Sequence, residues 1–377
     1  MVLRIVIMIT IGFQVMLNIT RPVVTLFASQ LGANTFEIGM VTAFYAFFPL
    51  FFAIYAGRIA DYVGDRLPIF FGAAGMTVGM VFPFCFPSMW SLYVSQAIVG
   101  VSQLFINISL QNVLGNSANS MNRDQYFSMF SMAMSFGSVM GPIAGGYLVE
   151  HFSYRFAFLV STFIGVIPIA LSYFLPVIFR KNEPAGLSLA SSLSLLKMPI
   201  LRKALVSSAL VLYSRDIFVA YFPLFAKQLN ISPSIIGWII AVQGISMVAI
   251  RFFLPKLTIL FGRNQILIAS ILTAGISFFI VPFTNQLFIF FMLSALMGAG
   301  LGCGQPLSMT TTYNASPKTR TGEVLGLRLA SNRLSQLIAP LFFGLVGSTV
   351  GLVSVFYVSS ILLIGGAYLT RSGADET

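Results

Sequence analysis

The sequence predicts an all-α integral membrane protein of twelve transmembrane helices, arranged as two pseudo-symmetric six-helix halves. Three observations predict it. The 377 residues are 57% hydrophobic and only 8% charged. Soluble domains carry about 25% charged residues, so the polar surface is too small to coat a water-soluble globule, and disorder needs low hydrophobicity. Long stretches carry no charge at all, from Leu67 to Asn122 and again from Asn264 to Pro317. Finally, short segments recur along the chain at a single offset of 198 residues.

A spanning helix needs about 20 mostly apolar residues. The first run, 4–30, is too long for the apolar core of a signal peptide and lacks a small-residue cleavage site, so it reads as the first span. Spans at 37–57, 127–149 and 155–178 follow from similar runs. The first uncharged interval holds 68–87 and 90–115, divided at Pro87-Ser88-Met89. The second half reads as 204–228, 233–255, 264–283, 287–313, 323–348 and 351–370, with Thr284-Asn285-Gln286 dividing the second uncharged interval. Lipid requires every backbone group to be satisfied within a helix or a closed barrel, and these runs far exceed barrel strands of about 10 residues. The expected organisation is a six-helix half at 1–178, a cytoplasmic linker at 179–203 and a second half at 204–377.

Net charge is +11. In a soluble protein that would raise nucleic acid as a partner. Here fourteen of the 21 lysines and arginines fall in loops on the side of the N-terminus, and only Arg155 and Lys227 fall on the other. Basic residues favour the cytoplasmic side, so both termini are expected there, in a bacterial cytoplasmic (inner) membrane, and nucleic acid is excluded. The other five, Arg21, Arg215, Arg251, Arg328 and Arg333, lie inside predicted spans; Arg251, near a helix end, is expected to snorkel to the cytoplasmic surface.

The repeat is read from Phe27-Ala28-Ser29-Gln30-Leu31, which recurs as Phe225-Ala226-Lys227-Gln228-Leu229. The same offset carries Gly39 onto Gly237, Gly64 onto Gly262, Gly100 onto Gly298, Pro142 onto Pro340 and Gly146 onto Gly344.

Two motifs carry a family resemblance. Gly57-Arg58-Ile59-Ala60-Asp61-Tyr62-Val63-Gly64-Asp65-Arg66, expected as a loop after the second helix, resembles the loop signature of the major facilitator superfamily. Gly57, Asp61, Gly64 and Arg66 hold the matching positions, while Tyr62 and Asp65 replace basic ones. The resemblance implies that Asp61 meets the positive end of the eleventh helix near Gly322 and Glu323. In the fifth helix Gly137, Gly141, Pro142, Gly145 and Gly146 are similar to the antiporter signature of the drug:proton exporter branch. The fourth-helix signature of that branch has an arginine where this chain has Gln96. The resemblance implies a secondary active transporter working by alternating access, coupled to protons and exporting its solute.

Ionisable groups within spans are costly, so they are candidates for function. Asp216 is the one acid near mid-span and the candidate for proton coupling, with Arg21 or Arg215 as partner; a structural ion pair between the first and seventh helices is the competing reading. Asn18 is its counterpart in the first half. Arg328, Asn332 and Gln336 recur at four-residue spacing and form one polar stripe, from which the helical wheel turns Arg333 away. The fourth helix offers Gln96, Gln103, Asn107 and Gln111 on one face. Gln243 and Gln305 complete the candidates for a substrate cavity.

The lone His151 and the apolar settings of Cys85 and Cys303 exclude a catalytic triad or metal site, so no enzyme, cofactor or metal is expected. Five buried arginines against one carboxylate point to an anionic or zwitterionic solute. The alternatives are a multidrug efflux pump for hydrophobic compounds, an importer or uniporter and, more remotely, a membrane sensor or enzyme. A monomer surrounded by lipid is expected, with a small molecule and a proton as its partners.

Overall fold

The computed structural model describes residues 2–117, 123–176, 198–314 and 321–371. Among these residues are twelve α-helices: α1 (Val2–Gln30), α2 (Thr35–Val63), α3 (Arg66–Cys85), α4 (Met89–Ser117), α5 (Arg123–His151), α6 (Tyr154–Ser172), α7 (Pro199–Gln228), α8 (Pro233–Phe261), α9 (Arg263–Ile280), α10 (Leu287–Asn314), α11 (Thr321–Val350) and α12 (Leu352–Arg371). Eleven are long and apolar enough to cross a membrane, and the apolar part of α12 is Leu352–Tyr368. Large apolar side chains such as Phe71, Phe163, Phe252 and Ile259 are exposed, as lipid requires and water penalises.

Two boundaries correct the expectations. α2 does not stop at residue 57 but runs through the motif to Val63, and α8 continues through Pro255 to Phe261. An internal glycine or proline is tolerated within a spanning helix. The true stops are Gly64 and Gly262, with φ of 84° and 78°; only glycine enters this left-handed region without steric cost. They are the same position in the two repeats. The surroundings of Gly57, Asp61, Gly322 and Glu323 lie outside what is described, as do residues 179–197 of the expected linker; residues 199–203 already belong to α7.

The chain divides into two compact units, residues 1–184 with 226–241, and residues 185–225 with 242–377. In the first, α1 packs on α5 and α6, α3 on α4 and α6, and α2 on α4. Asn34 and Glu37 close the start of α2 reciprocally: each side chain accepts from the other's backbone N–H, at 2.9 and 2.8 Å. In the second unit α9 packs on α10 and α12. Six buried phenylalanines there close a ring, Phe218–Phe222–Phe290–Phe225–Phe356–Phe278, with centroids 4.6 to 6.3 Å apart. Such edge and offset contacts add about 0.5–1.5 kcal/mol per pair beyond burial.

Residues related by the offset make the same contacts. Phe27 meets Phe158 between α1 and α6, and Phe225 meets Phe356 between α7 and α12. Gly100 faces the Tyr45 carbonyl, and Gly298 faces the Gln243 carbonyl. Elsewhere the small residue changes sides. Gly12 accommodates Pro168, whereas Leu210 lies against Gly366; Gly165 accommodates Thr77, whereas Leu363 lies against Gly275. The packing site persists while the glycine moves to the opposite helix.

Candidate functional site

The α5 motif is a packing surface. A side chain at Gly137, Gly141 or Gly145 would collide with Gln14, Asn18 or the Ile19 carbonyl of α1, and one at Gly146 with the Pro233 carbonyl at the start of α8. Gly237 on α8 faces the Pro142 carbonyl in return. Glycine lets these backbones approach without a hydrophobic driving force. Asn18 therefore sits in the α1–α5 contact, and its amide nitrogen turns back to the Gln14 carbonyl at 2.8 Å.

The same junction ends in a charged cap. The backbone N–H of Ser234 donates to Glu150 Oε2 at 2.9 Å, so a carboxylate on α5 serves the first turn of α8. Nearby, Lys227 Nζ reaches Ser29 Oγ at 3.4 Å, two residues at the same repeat position. Replacing Glu150 by alanine is expected to cost about 1 kcal/mol of local stability. Faster hydrogen exchange at Ser234 and Ile235 is the readout, and unchanged exchange would show that water replaces the cap without loss.

The polar residues of the first unit centre on Tyr45. Its hydroxyl donates to Gln103 Oε1, and the Arg21 guanidinium carbon lies 5.0 Å from the centre of its ring. Gln96 is buried, Asn107 is half-buried with Oδ1 lacking a hydrogen-bond partner among the described residues, and Gln111 is exposed. Arg21 and Gln103 are thus brought together by a residue that the sequence reading did not single out. Tyrosine to phenylalanine at 45 is expected to leave the helix contact intact and lower the thermal midpoint by the loss of one hydrogen bond, about 1 kcal/mol.

The second unit holds a continuous hydrogen-bonded chain. Gln336 Nε2 on α11 donates to Asp216 Oδ2 on α7 at 2.7 Å, and Arg333 Nη1 donates to Gln336 Oε1 at 3.0 Å. Asp216 lies ~26 Å from the start of α7, near mid-helix. All three side chains are half-buried. This corrects the helical-wheel expectation for Arg333: its Cβ leaves the stripe, but the long side chain returns to it one turn on. Asn332 Oδ1 accepts from Ser208 Oγ at 3.0 Å, a second polar tie between α7 and α11. Tyr221 and Tyr213 add ties to the Pro340 and Ser359 carbonyls.

Arg215 and Arg328 are half-buried in the same unit, and Gln243 is buried with Nε2 unbonded among the described residues. Arg251 is half-buried, and its Nε donates to the Gly302 carbonyl of α10 at 3.5 Å. The Gln305 side chain lies outside the described residues. Among the described residues no group of histidine, cysteine, aspartate or glutamate could hold a metal ion.

The family model of the Major Facilitator Superfamily matches residues 6–207 and again residues 204–375. The chain belongs to that superfamily. It is a membrane transporter rather than an enzyme. Among related superfamily members, an MFS-type transporter of Methanocaldococcus jannaschii is 23% identical over 365 residues, covering 93% of each chain. Multidrug resistance protein MdtG of Dickeya zeae is 24% identical over 367 residues, 93% of this chain and 89% of its own. Among solved structures, a POT family transporter in complex with 5-aminolevulinic acid superimposes with a TM-score of 0.83 at 12% identity, over 97% of this chain and 94% of its own. Nucleoside transporter NupG gives 0.82 at 12% identity over 99% of both chains. These likenesses show the superfamily fold of two six-helix halves.

Proposed function

We propose that this superfamily member is a proton-coupled exporter of a small organic anion or zwitterion, working by alternating access, with Asp216 taking up and releasing the proton. The chain Asp216–Gln336–Arg333 carries the reading. A carboxylate at mid-helix is retained at a cost of several kcal/mol, which function explains better than stability does. A partner that stays engaged while the acid changes charge is what coupling needs. The excess of intramembrane arginines supports a solute with at least one negative group, since guanidinium matches carboxylate and phosphate in two-point contacts.

Export is supported by the α5 motif and by the similarity to MdtG, whose name is that of a multidrug resistance protein. The excess of basic loops on the N-terminal side supports termini in the cytoplasm, and the repeated contacts support halves at 1–178 and 204–377 acting within a monomer. Arg21, Tyr45 and Gln103 form a polar cluster in the first half.

Inverted vesicles carrying the protein, energised with an acid interior, test the reading. Solutes found by metabolite profiling of cells with and without the protein should accumulate in them, and a protonophore should abolish the accumulation. Accumulation that ignores the protonophore would overturn proton coupling. Efflux of hydrophobic compounds is the second reading, favoured by the same relative, and uncharged lipophilic dyes carried as well as charged solutes would establish it.

A further inference from the structure

The Gln336 amide bridges an acid and a base in the way that one small molecule does. Its orientation is fixed by its neighbours: Nε2 must face the acceptor Asp216, and Oε1 must face the donor Arg333. A donor nitrogen and an acceptor oxygen, held as close together as the ammonium and carboxylate on one α-carbon, thus span the gap between the two charges. The three side chains are partly exposed, so they are not sealed within the unit.

We propose that Gln336 is a built-in stand-in for the substrate, and that the substrate is a zwitterion carrying its ammonium and carboxylate on one carbon. Its ammonium replaces the amide nitrogen at Asp216, its carboxylate replaces the amide oxygen at Arg333, and Gln336 swings aside. This rests on the reading of Asp216 as the proton site and gives that reading a sign. The ammonium needs an ionised Asp216, so loading a protonated carrier releases one proton to the solvent, while protonation of Asp216 expels the solute. Proton and solute exclude one another, which is the condition for exchange.

A simple anion behaves oppositely. It competes with Gln336 for Arg333 alone and gains nothing from an ionised Asp216. The surrounding charges do not alter this sign. In the second unit α7 contacts α9, α10, α11 and α12. Apart from Arg215 beside Asp216, and Arg202, Lys203 and Lys227 towards the ends of α7, these helices contribute Arg328 and Arg333 on α11; Arg263 and Arg371 lie at the ends of α9 and α12, Glu323 lies in the first turn of α11, and α10 has no charge. The phenols of Tyr213 and Tyr221 are engaged with backbone carbonyls.

The test uses the purified full-length protein in weakly buffered detergent, with the twenty common L-α-amino acids as probes, followed by the N-acetyl and amide derivatives of whichever binds. The expected result is that at least one amino acid binds with release of protons, while its N-acetyl anion and its amide cation each bind at least tenfold more weakly. Gln336→Ala, which removes the stand-in, is expected to tighten binding of that amino acid about tenfold. Failure of all twenty to bind, equal binding of the N-acetyl anion, proton uptake on loading, or unchanged affinity in Gln336→Ala would each overturn the proposal. Asp216→Asn separates it from the reading beneath. A variant that still couples fully to the pH gradient removes the proton site itself, whereas loss of coupling without zwitterion preference removes only this inference.

Discussion

Replacing Asp216 by asparagine is expected to reduce pH-gradient-driven transport by about a hundredfold, the upper range of site-to-site coupling, while solute exchange without a gradient continues at raised solute concentration, because the neutral amide stands for the protonated acid and holds the solute more weakly. Asparagine keeps the shape of the side chain and an oxygen that can accept from Gln336 Nε2, so the α7–α11 tie at 2.7 Å has a replacement. What it removes is the ability to bind and release a proton. On the proposed reading the solute competes with a proton at Asp216, so its apparent affinity in the parent protein is expected to fall as pH drops. The variant has nothing to titrate there, and its affinity should be flat across the same range. Proteoliposomes loaded with unlabelled solute report exchange, and the same vesicles under an imposed gradient report coupling. Loss of exchange at every solute concentration, together with loss of coupling, would mean that Asp216 is a structural tie. Full coupling in the variant would place the proton elsewhere.

How much of this is legible in the sequence differs between the fold and the site. Twelve apolar runs with turns between them follow from the thickness of a bilayer, and the two glycine stops are visible as one position repeated at an offset of 198. The expected runs end too early, at Gly57 and Pro255, because residues that break soluble helices are tolerated in spans. The site is legible where its residues are rare. Asp216 stands out as the one acid near mid-span, and Gln336 as part of a polar stripe at four-residue spacing. Arg333 is misdirected because a helical wheel tracks Cβ and ignores the reach of a long guanidinium side chain. Tyr45 and Ser208 give no signal, since hydroxyls are common in spans and many simply bond to a carbonyl one turn back, as Thr10 and Ser161 do. Asn18 is visible as polar, but its direction depends on the glycine face of α5, which is a partner in space rather than in sequence. The buried phenylalanine ring in the second unit is made by four helices that no local pattern links.

The glycines at the repeated crossing give the second large effect, and its pattern across substitutions is more telling than its size. At both Gly100 and Gly298 the first atom of any side chain would collide with a main-chain carbonyl, that of Tyr45 on α2 or of Gln243 on α8. A carbonyl in the middle of a spanning helix cannot rotate away without breaking its own hydrogen bond, so the helices must separate. Alanine alone should therefore cost about 3 kcal/mol, the upper end of overpacking penalties, and valine little more, because the damage is done by Cβ. Gly365, where a Cβ would meet nothing within 4 Å, is the control; alanine there should be neutral or stabilising by up to about 1 kcal/mol through helix propensity. Thermal midpoints of the detergent-purified variants check this. If the two crossings are one packing solution used twice, Gly100→Ala and Gly298→Ala should lose stability to within about 1 kcal/mol of each other. A tolerated alanine at either position would show that the helices can slide apart there, and that the repeated glycine marks ancestry rather than a packing requirement.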